Sequence, residues 1–312
     1  MTAAPPAATG ITHRRSTIGL VAVVAAMLGL SLGSTIVKKI GAPGLTTATW
    51  RLVLGTAIWT VVLHLRGGRY STRAVRLAAP SALFFATDLA LFFMAVTKTS
   101  VANAEFIGSL VPVVVVPLAA VLFHERLRLS SLAWGGVALV GVAVILFSAP
   151  STGSGTSLGN ALAFVAMCSW AGYLLTSRHA RAVMGTTEFM TTVVLLAALM
   201  MVPIAAVAGR LWEVPAGGWP YIVLLAVLSG TICHGLLAWS QTRVPVSTIS
   251  ILQVGMPALA TLWAYLILGE SVSTTQAVGM VVVIGALAAF TLSSRRAVPS
   301  VLDTGELGGP SG

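Results

Sequence analysis

Ten long runs of apolar residues follow one another along the chain, separated by short polar loops. Each run holds about 20 residues, the length that an α-helix needs to cross the hydrocarbon core of a membrane. The runs do not alternate apolar and polar positions, which argues against the strands of a membrane barrel. The pattern predicts an all-α polytopic membrane protein with ten transmembrane helices. These predicted spans, numbered 1 to 10, cover about residues 17–37, 44–64, 75–96, 99–122, 130–148, 158–177, 187–208, 219–240, 245–268 and 274–293.

Spans 4 and 9 share an unusual arrangement. In FIGSLVPVVVVPLAAVLFHE of span 4, Pro112 is followed thirteen residues later by Glu125. In ILQVGMPALATLWAYLILGE of span 9, Pro257 is followed thirteen residues later by Glu270. With a one-residue gap, the same register also aligns two glycines of span 5 with two of span 10. Because each copy holds five spans, an odd number, the second copy enters the membrane from the opposite side. The sequence therefore predicts two inverted repeats, an arrangement typical of transporters.

These patterns divide the chain into four parts. Residues 1–16 form a cytoplasmic N-terminal tail, 17–149 the first five-helix repeat and 158–294 the second. Residues 295–312 form a cytoplasmic C-terminal tail, which is rich in Gly, Ser and Pro and is expected to be disordered. Each glutamate that closes a proline-containing span is expected to have a structural role, facing the positive end of the next helix.

The charges set the orientation. Only 8% of the residues are charged, the apolar fraction is 57% and the formal net charge is +10, whereas a soluble domain carries about a quarter charged residues. With the N-terminus inside, thirteen basic residues lie in inner segments and four in outer loops. This positive-inside bias predicts a multi-pass protein of the cell (cytoplasmic or inner) membrane with both termini in the cytoplasm. It explains the basic balance without a nucleic-acid partner.

Three ionisable residues interrupt the apolar spans: Arg51 in span 2, Asp88 in span 3 and Glu105 in span 4. A charge at mid-membrane costs about 2.5–3.5 kcal/mol on insertion scales, so each needs a reason to be there. For Asp88 and Glu105 we favour a role in contacting substrate or carrying a proton over a structural ion pair, which stays open as the alternative. For Arg51 three interpretations stay open: a structural ion pair with one of these carboxylates, a side chain that snorkels to the interface, and a substrate contact.

Each proline-containing span also presents a polar stripe. On span 4, Glu105, Ser109 and Pro112 share one helical face through i, i+4 and i+7 spacing. The matching stripe on span 9 consists of Ser250, Gln253 and Pro257. Stripes of this kind are expected to face a central cavity rather than lipid, so spans 4 and 9 are predicted to line a site that spans 1, 3, 6 and 8 close.

Three further residues are candidates for the pathway. His234 lies in span 8, close to the position that the repeat matches to Asp88, and Trp170 and Tyr173 lie in span 6. A buried histidine often serves only as a hydrogen-bonding group. Membrane aromatics often serve as packing groups or interface anchors. Both the structural and the pathway interpretation of these residues stay open.

Two other classes of function compete with transport. A membrane-embedded enzyme is suggested by Gly29–Gly33, which fits G-x-S-x-G, but that motif needs a sharp strand-to-helix turn and here lies within an apolar helix. A non-transporting receptor or assembly subunit would be favoured by a closed cavity without polar lining. There is no GxxxxGK[ST] sequence for ATP and no cluster suited to a metal, so no cofactor is expected. A homodimer is left open.

The order of these features resembles the drug/metabolite transporter superfamily in its ten-helix EamA type. The likeness covers about residues 17–294 and rests on the paired Pro…Glu spans, LGLSLGSTIVKK in span 1, Arg51 within TWRLVLG, and SWAGYLLTSRHA in span 6. The chain departs from the family at Leu28, where a tryptophan is frequent. The resemblance implies a secondary transporter, often an exporter of amino acids, metabolites or toxic compounds. Together with the membrane carboxylates, it leads us to expect a proton-coupled exporter of a small metabolite, amino acid or drug.

Overall fold

The computed structural model describes residues 7–99, 101–125, 129–147, 157–269 and 271–295, and within these ranges it contains helices and no strand. Two segments are π-helical: Leu225–Cys233 in span 8 and Ala264–Leu268 in span 9. The α-helices are α1 (Ala7–Ile40), α2 (Gly44–Leu65), α3 (Thr72–Lys98), α4 (Val101–Ser109), α5 (Val111–Phe123), α6 (Leu129–Phe147), α7 (Ser157–Arg181), α8 (Thr186–Val207), α9 (Trp219–Leu224), α10 (His234–Ser240), α11 (Val246–Gln253), α12 (Met256–Trp263) and α13 (Thr274–Arg295).

The helices confirm an all-α polytopic membrane fold. In the described part of the chain, nine helical stretches are long and apolar enough to cross a membrane, and α6 supplies a tenth, shorter apolar helix. Helix α1 begins at Ala7, ahead of the apolar stretch Thr17–Ile40 that it contains. The linker 151–156, Glu270 and the C-terminal residues from 296 onward lie outside the described residues.

The most extensive contacts join helices of different repeats. Helix α3 packs against α7, α2 against α8, α6 against α13, and α1 against both α10 and the π-helical segment of span 8. In span numbers these are the pairs 3–6, 2–7, 5–10 and 1–8. Exchanging the two repeats converts pair 3–6 into pair 8–1 and leaves 2–7 and 5–10 unchanged. The contacts therefore have the pattern that a two-fold relation between the repeats requires.

Spans 4 and 9 are interrupted and run antiparallel. Helix α4 packs against α12 and α5 against α11, so the first half of span 4 meets the second half of span 9. Pro112 lies in the first turn of α5 and Pro257 in the first turn of α12. A proline is tolerated there because the first amides of a helix have no partner within the helix. Each proline thus marks the restart of a second helix in the same span.

The second halves of these spans end in matching ways. His124 closes α5 with φ 53° and Gly269 closes the π-helical end of span 9 with φ 69°, and the repeat register aligns the two residues. Left-handed backbone at the end of a helix usually belongs to glycine, and His124 is the one non-glycine residue with positive φ in the described chain. The residue that follows His124 is Glu125, so the chain reversal at His124 decides where this carboxylate points.

Spans 5 and 10 cross closely at two glycines. A Cβ added to Gly141 would lie 3.1 Å from the carbonyl oxygen of Gly279, and one added to Gly279 would lie 2.9 Å from that of Gly141. Small residues at such a crossing let two membrane helices approach. Around it, α6, α13 and the break in span 9 form a small core that is separate from the main core.

Candidate functional site

A cavity of about 120 Å³ lies between the two repeats, beside the breaks in spans 4 and 9. Spans 1, 2, 3, 4, 6, 8 and 9 contribute its wall, so span 2 joins the set that the sequence indicated. The predicted pathway residues that line it are Arg51, Asp88, Glu105, Ser109, Trp170, His234, Gln253 and Pro257. The structure thus brings together side chains that lie far apart in the sequence.

Three predicted pathway residues lie behind this wall. Pro112 is buried next to Val111, which does line the cavity. Ser250 is fully buried, and its hydroxyl donates to the carbonyl oxygen of Ser247 at 2.8 Å. Tyr173 is also fully buried and stacks on the ring of Trp170, with 4.9 Å between the centroids. These residues support the wall instead of facing the cavity.

Arg51 is a buried cation at the cavity. Its side chain is 3% exposed, so it does not snorkel to a membrane surface. Its Nη2 donates to Ser229 Oγ at 3.2 Å, and the guanidinium lies over two phenylalanine rings, 5.9 and 5.8 Å from their centroids. Nε and Nη1 have no hydrogen-bond partner. Asp88 interacts with it electrostatically, yet no ion pair of 4 Å or less joins the two among the described residues.

His234 is oriented by the π-helical segment before it. Its Nδ1 lies 2.7 Å from the carbonyl oxygen of Ser229, five residues earlier, and Thr231 Oγ1 donates to Ala226, also five residues earlier, at 2.9 Å. Nδ1 also lies 3.2 Å from Nη2 of Arg51. One ring nitrogen cannot donate to a carbonyl and accept from arginine at once. The shorter contact favours Nδ1–H donating to Ser229.

The sequence indicated neither Ser229 nor the π-helix as part of the site. Single π-helical turns within α-helices are frequent at functional sites. The available signal was the short polar triplet Ser229–Thr231 in the middle of an apolar span. Here the wider turn places Ser229 and His234 together against Arg51.

The two carboxylates of the cavity have different surroundings. Asp88 is half-buried on the wall and interacts with Arg51. Glu105 is 7% exposed and shares the cavity wall with Ser34, whose hydroxyl donates to the carbonyl oxygen of Ser31 at 3.4 Å. Among the described residues, no Lys, Arg or His nitrogen forms an ion pair with Glu105. Asp88 therefore has a cation nearby, whereas Glu105 has no cation within ion-pair distance among the described residues.

Two positions on the wall control how much room remains. A Cβ added to Gly108 would meet no atom within 4 Å, so the space next to this residue is open. Gln253, at the matching position of the second repeat, projects its amide into the same region and accepts from Trp170 Nε1 at 3.1 Å. One repeat leaves space at this position and the other fills it.

The G-x-S-x-G sequence has a packing role. Ser31 is fully buried within α1, its hydroxyl donates to the carbonyl oxygen of Leu28 at 3.1 Å, and it accepts from Trp263 Nε1 at 3.1 Å. It lies in a continuous helix and not at the sharp turn that a nucleophile requires.

Glu125 is structural, but its partner differs from the expected one. Its Oε1 accepts from the backbone N–H of Val246 at 3.0 Å, and its Oε2 accepts from the N–H and the hydroxyl of Ser247 at 3.0 and 2.6 Å. The expectation that it faces the start of the following helix, α6, is therefore corrected. The carboxylate caps α11 of the other repeat because α5 and α11 pack side by side.

Two helix repeats packed around a polar cavity with interrupted helices are typical of a membrane transporter. The sequence model of the EamA-like transporter family matches residues 17–147 and 157–292, one match for each repeat. The chain belongs to this family of the drug/metabolite transporter superfamily. It is a multi-pass membrane transporter and not an enzyme, in agreement with the sequence-based prediction.

Related proteins cover most of the chain. The threonine/homoserine exporters RhtA of Salmonella typhimurium SL1344 and of Escherichia coli K12 are each 31% identical over 289 residues, which cover 89% of this chain and 91% of theirs. An uncharacterized transporter of Archaeoglobus fulgidus is 25% identical over 84% of this chain and 92% of its own. A solved crystal structure matches with a TM-score of 0.74 at 21% identity, over 90% of this chain and 99% of that one. That likeness shows the fold alone.

Proposed function

We propose that this protein exports a small amino acid from the cytoplasm in exchange for protons. In this proposal it lies in the cytoplasmic membrane with both termini in the cytoplasm, as its positive-inside charge bias favours. The observation that carries the proposal is the cavity, which holds one buried guanidinium and two carboxylates between the repeats.

The size of the cavity supports a small substrate. Sites for drug-sized ligands enclose about 300–1,000 Å³, whereas this cavity measures about 120 Å³. Two of the relatives are named for the export of threonine and homoserine, which are small and polar. An amino acid of that size fits better than a bulky drug.

The charges of the wall support a zwitterion. The guanidinium of Arg51 has free donors, and arginine binds carboxylates through paired hydrogen bonds. Asp88, on the same wall, supplies a negative charge for an ammonium group. A substrate that carries both charges would form an ion pair with Arg51 and another with Asp88 at the same time. A purely cationic drug would instead leave Arg51 unpaired.

Glu105 is the proposed proton carrier. An isolated carboxylate within a membrane protein is expensive as an anion, and proton relays in transporters are built from such residues. Glu105 meets this description because it is buried and forms no ion pair among the described residues. Binding and release of a proton at Glu105 would couple the movement of the repeats to the gradient.

Transport by purified protein in liposomes tests the proposal. Liposomes preloaded with labelled threonine or homoserine should release it faster when the outside is made acidic, and a protonophore should abolish the acceleration. The controls are preloaded liposomes without protein and liposomes that contain the Glu105→Gln variant. Release of a bulky cationic drug, with none of either amino acid, would contradict the substrate class. Release of the amino acid at the same rate with and without the pH gradient would contradict proton coupling.

A further inference from the structure

The contact between Glu125 and α11 is a candidate for control of the transport cycle. It joins residues about 120 positions apart in the sequence and in opposite repeats. In the described residues, its three bonds are the only side-chain hydrogen bonds between the end of span 4 and α11. Two apolar residues of α5, Val115 and Ala119, are fully buried.

Helix α11 depends on this cap from another span. Its N-cap residue is Pro245, which provides no side-chain cap. The first amides of a helix have no partner within it, and the carboxylate of Glu125 accepts from two of them. A negative charge at this position also interacts favourably with the helix dipole. The hydroxyl of Ser247 adds the shortest of the three bonds, at 2.6 Å.

The cap lies at the sealed end of the molecule. All eight residues of α11 are buried, from Val246 next to the cap to Gln253 at the cavity. The cavity therefore does not extend along α11 to the Glu125 end. Opening the cavity toward this end between α5 and α11 would separate these helices and break the three bonds.

We infer that the Glu125 carboxylate is a releasable clamp that holds the pathway closed at this end and sets how often it opens. The inference rests on the proposed function, since only a transporter that alternates its access needs this end to open. In the proposed topology this is the cytoplasmic end. Glu125 is a positioning residue and does not touch the substrate.

The clamp is tested by water access to a reporter thiol within α11. Cys168 and Cys233, the cysteines of the chain, are replaced, and Ser250→Cys is introduced between the clamp and the cavity. Labelling by a membrane-impermeant maleimide is measured from the clamp side of sealed vesicles. Glu125→Gln keeps the shape and loses the charge, so it should speed labelling by at least about tenfold, the loss expected for hydrogen bonds to a charged group.

A matched control is available at the same end of the molecule. Glu188 lies in the first turn of its own helix, α8, which starts at the end where α5 stops. Glu188→Gln makes the same chemical change without touching the α5–α11 contact, so labelling should stay at the wild-type rate. Ser247→Ala removes only the hydroxyl contact and leaves the two backbone bonds, so it should speed labelling by less than Glu125→Gln does.

The outcomes separate the clamp from the proposed function. Labelling needs neither substrate nor gradient, so a faster rate in Glu125→Gln supports the clamp even if threonine is not transported. Unchanged labelling in both Glu125→Gln and Ser247→Ala overturns the clamp and leaves transport untouched. Equal acceleration by Glu188→Gln also overturns it. If Glu125→Gln does not reach the membrane, the labelling rate of Ser247→Ala decides the test: a faster rate supports the clamp, and the wild-type rate overturns it.

Discussion

Spans 4 and 9 have the same architecture and different chemistry. Both restart at a proline, both end in left-handed backbone, and they pack antiparallel at the cavity. At matched positions, however, span 4 carries Glu105 and Gly108, whereas span 9 carries Ser250 and Gln253. Span 4 thus provides a charge and open space, and span 9 provides a buried hydroxyl and an amide that fills space. The scaffold is symmetric, while the cavity that it encloses is lined by different chemical groups on its two sides.

Among the differences between spans 4 and 9, the one between Glu105 and Ser250 should have the largest effect on the rate of transport. Glu105→Gln keeps the shape of the side chain but cannot cycle a proton. We expect it to reduce gradient-driven efflux by about 100-fold, the size typical of losing a proton-transfer group. Ser250→Ala, at the matched position, should keep most of the rate because this hydroxyl bonds only within α11. Efflux from preloaded liposomes under an imposed pH gradient measures both.

Asp88→Asn is the control for that experiment. Wild-type rates in both Glu105→Gln and Asp88→Asn would refute proton coupling through these residues, and loss of transport in Asp88→Asn alone would move the proton site to span 3. If Asp88→Asn is lost from the membrane, adding Arg51→Met should restore insertion. The double variant leaves no unpaired buried charge.

The difference between Gly108 and Gln253 should set substrate size. Gly108→Ala puts a methyl group into open space at the cavity, so the fold has no clash to relieve. We expect transport of amino acids longer than threonine to fall by about tenfold relative to transport of alanine. A pocket that loses room for one methylene group discriminates between substrates by about this factor. Competition between labelled and unlabelled amino acids measures this ratio.

Gly136→Ala is the matched control for Gly108→Ala. An added Cβ at Gly136 also meets nothing within 4 Å, but this residue lies on the exposed face of α6, away from the cavity. An identical change of selectivity in both variants would show that the effect comes from the helix and not from the cavity.

The two breaks should respond unequally to loss of their prolines. In span 9 the break also contains Gly255, whereas the matched position of span 4 is Leu110. Glycine costs about 1 kcal/mol relative to alanine in a helix interior, which favours the broken form about fivefold. Pro112→Ala should therefore slow transport about fivefold more than Pro257→Ala. Equal rates in the two variants would mean that the prolines alone do not maintain the breaks.

The smallest effect should come from the hydrogen bond that fixes Gln253. Trp170→Phe removes the donor to Gln253 Oε1. We expect a loss of stability of about 0.5–1.5 kcal/mol, the usual value for one hydrogen bond, seen as a lower melting temperature in detergent. Trp134→Phe, on the exposed face of α6, should leave the melting temperature unchanged. An equal drop in both variants would attribute the change to loss of the indole ring itself.

Local signals in the sequence predicted much of the architecture. The spans are visible because membrane hydrocarbon demands long apolar runs, and the breaks are visible because proline cannot occupy a helix interior freely. Glu105, Ser109 and Gln253 could be placed at the cavity because polar groups in a membrane helix avoid lipid.

Other features depend on contacts that no local pattern encodes. The repeat register gave the depth of Ser250 but not its rotation toward the neighbouring helix, so its burial was not foreseen. The partner of Glu125 lies about 120 residues away, and only the packing of α5 on α11 brings them together. The π-helical turn at Ser229 has no compositional signal of its own.

The contacts of Arg51 with span 8 have a consequence for how the protein is made. The hydroxyl of Ser229 and the ring of His234, its contacts in span 8, lie 178 and 183 residues further along the chain. While the ribosome is still completing the second repeat, span 2 must reside in the bilayer without them. A lone arginine there costs about 2.5–3.5 kcal/mol on insertion scales. Asp88 belongs to the next span to emerge and interacts with Arg51 electrostatically. This aspartate can therefore partly offset the charge of Arg51 in the membrane until span 8 has been synthesised and inserted.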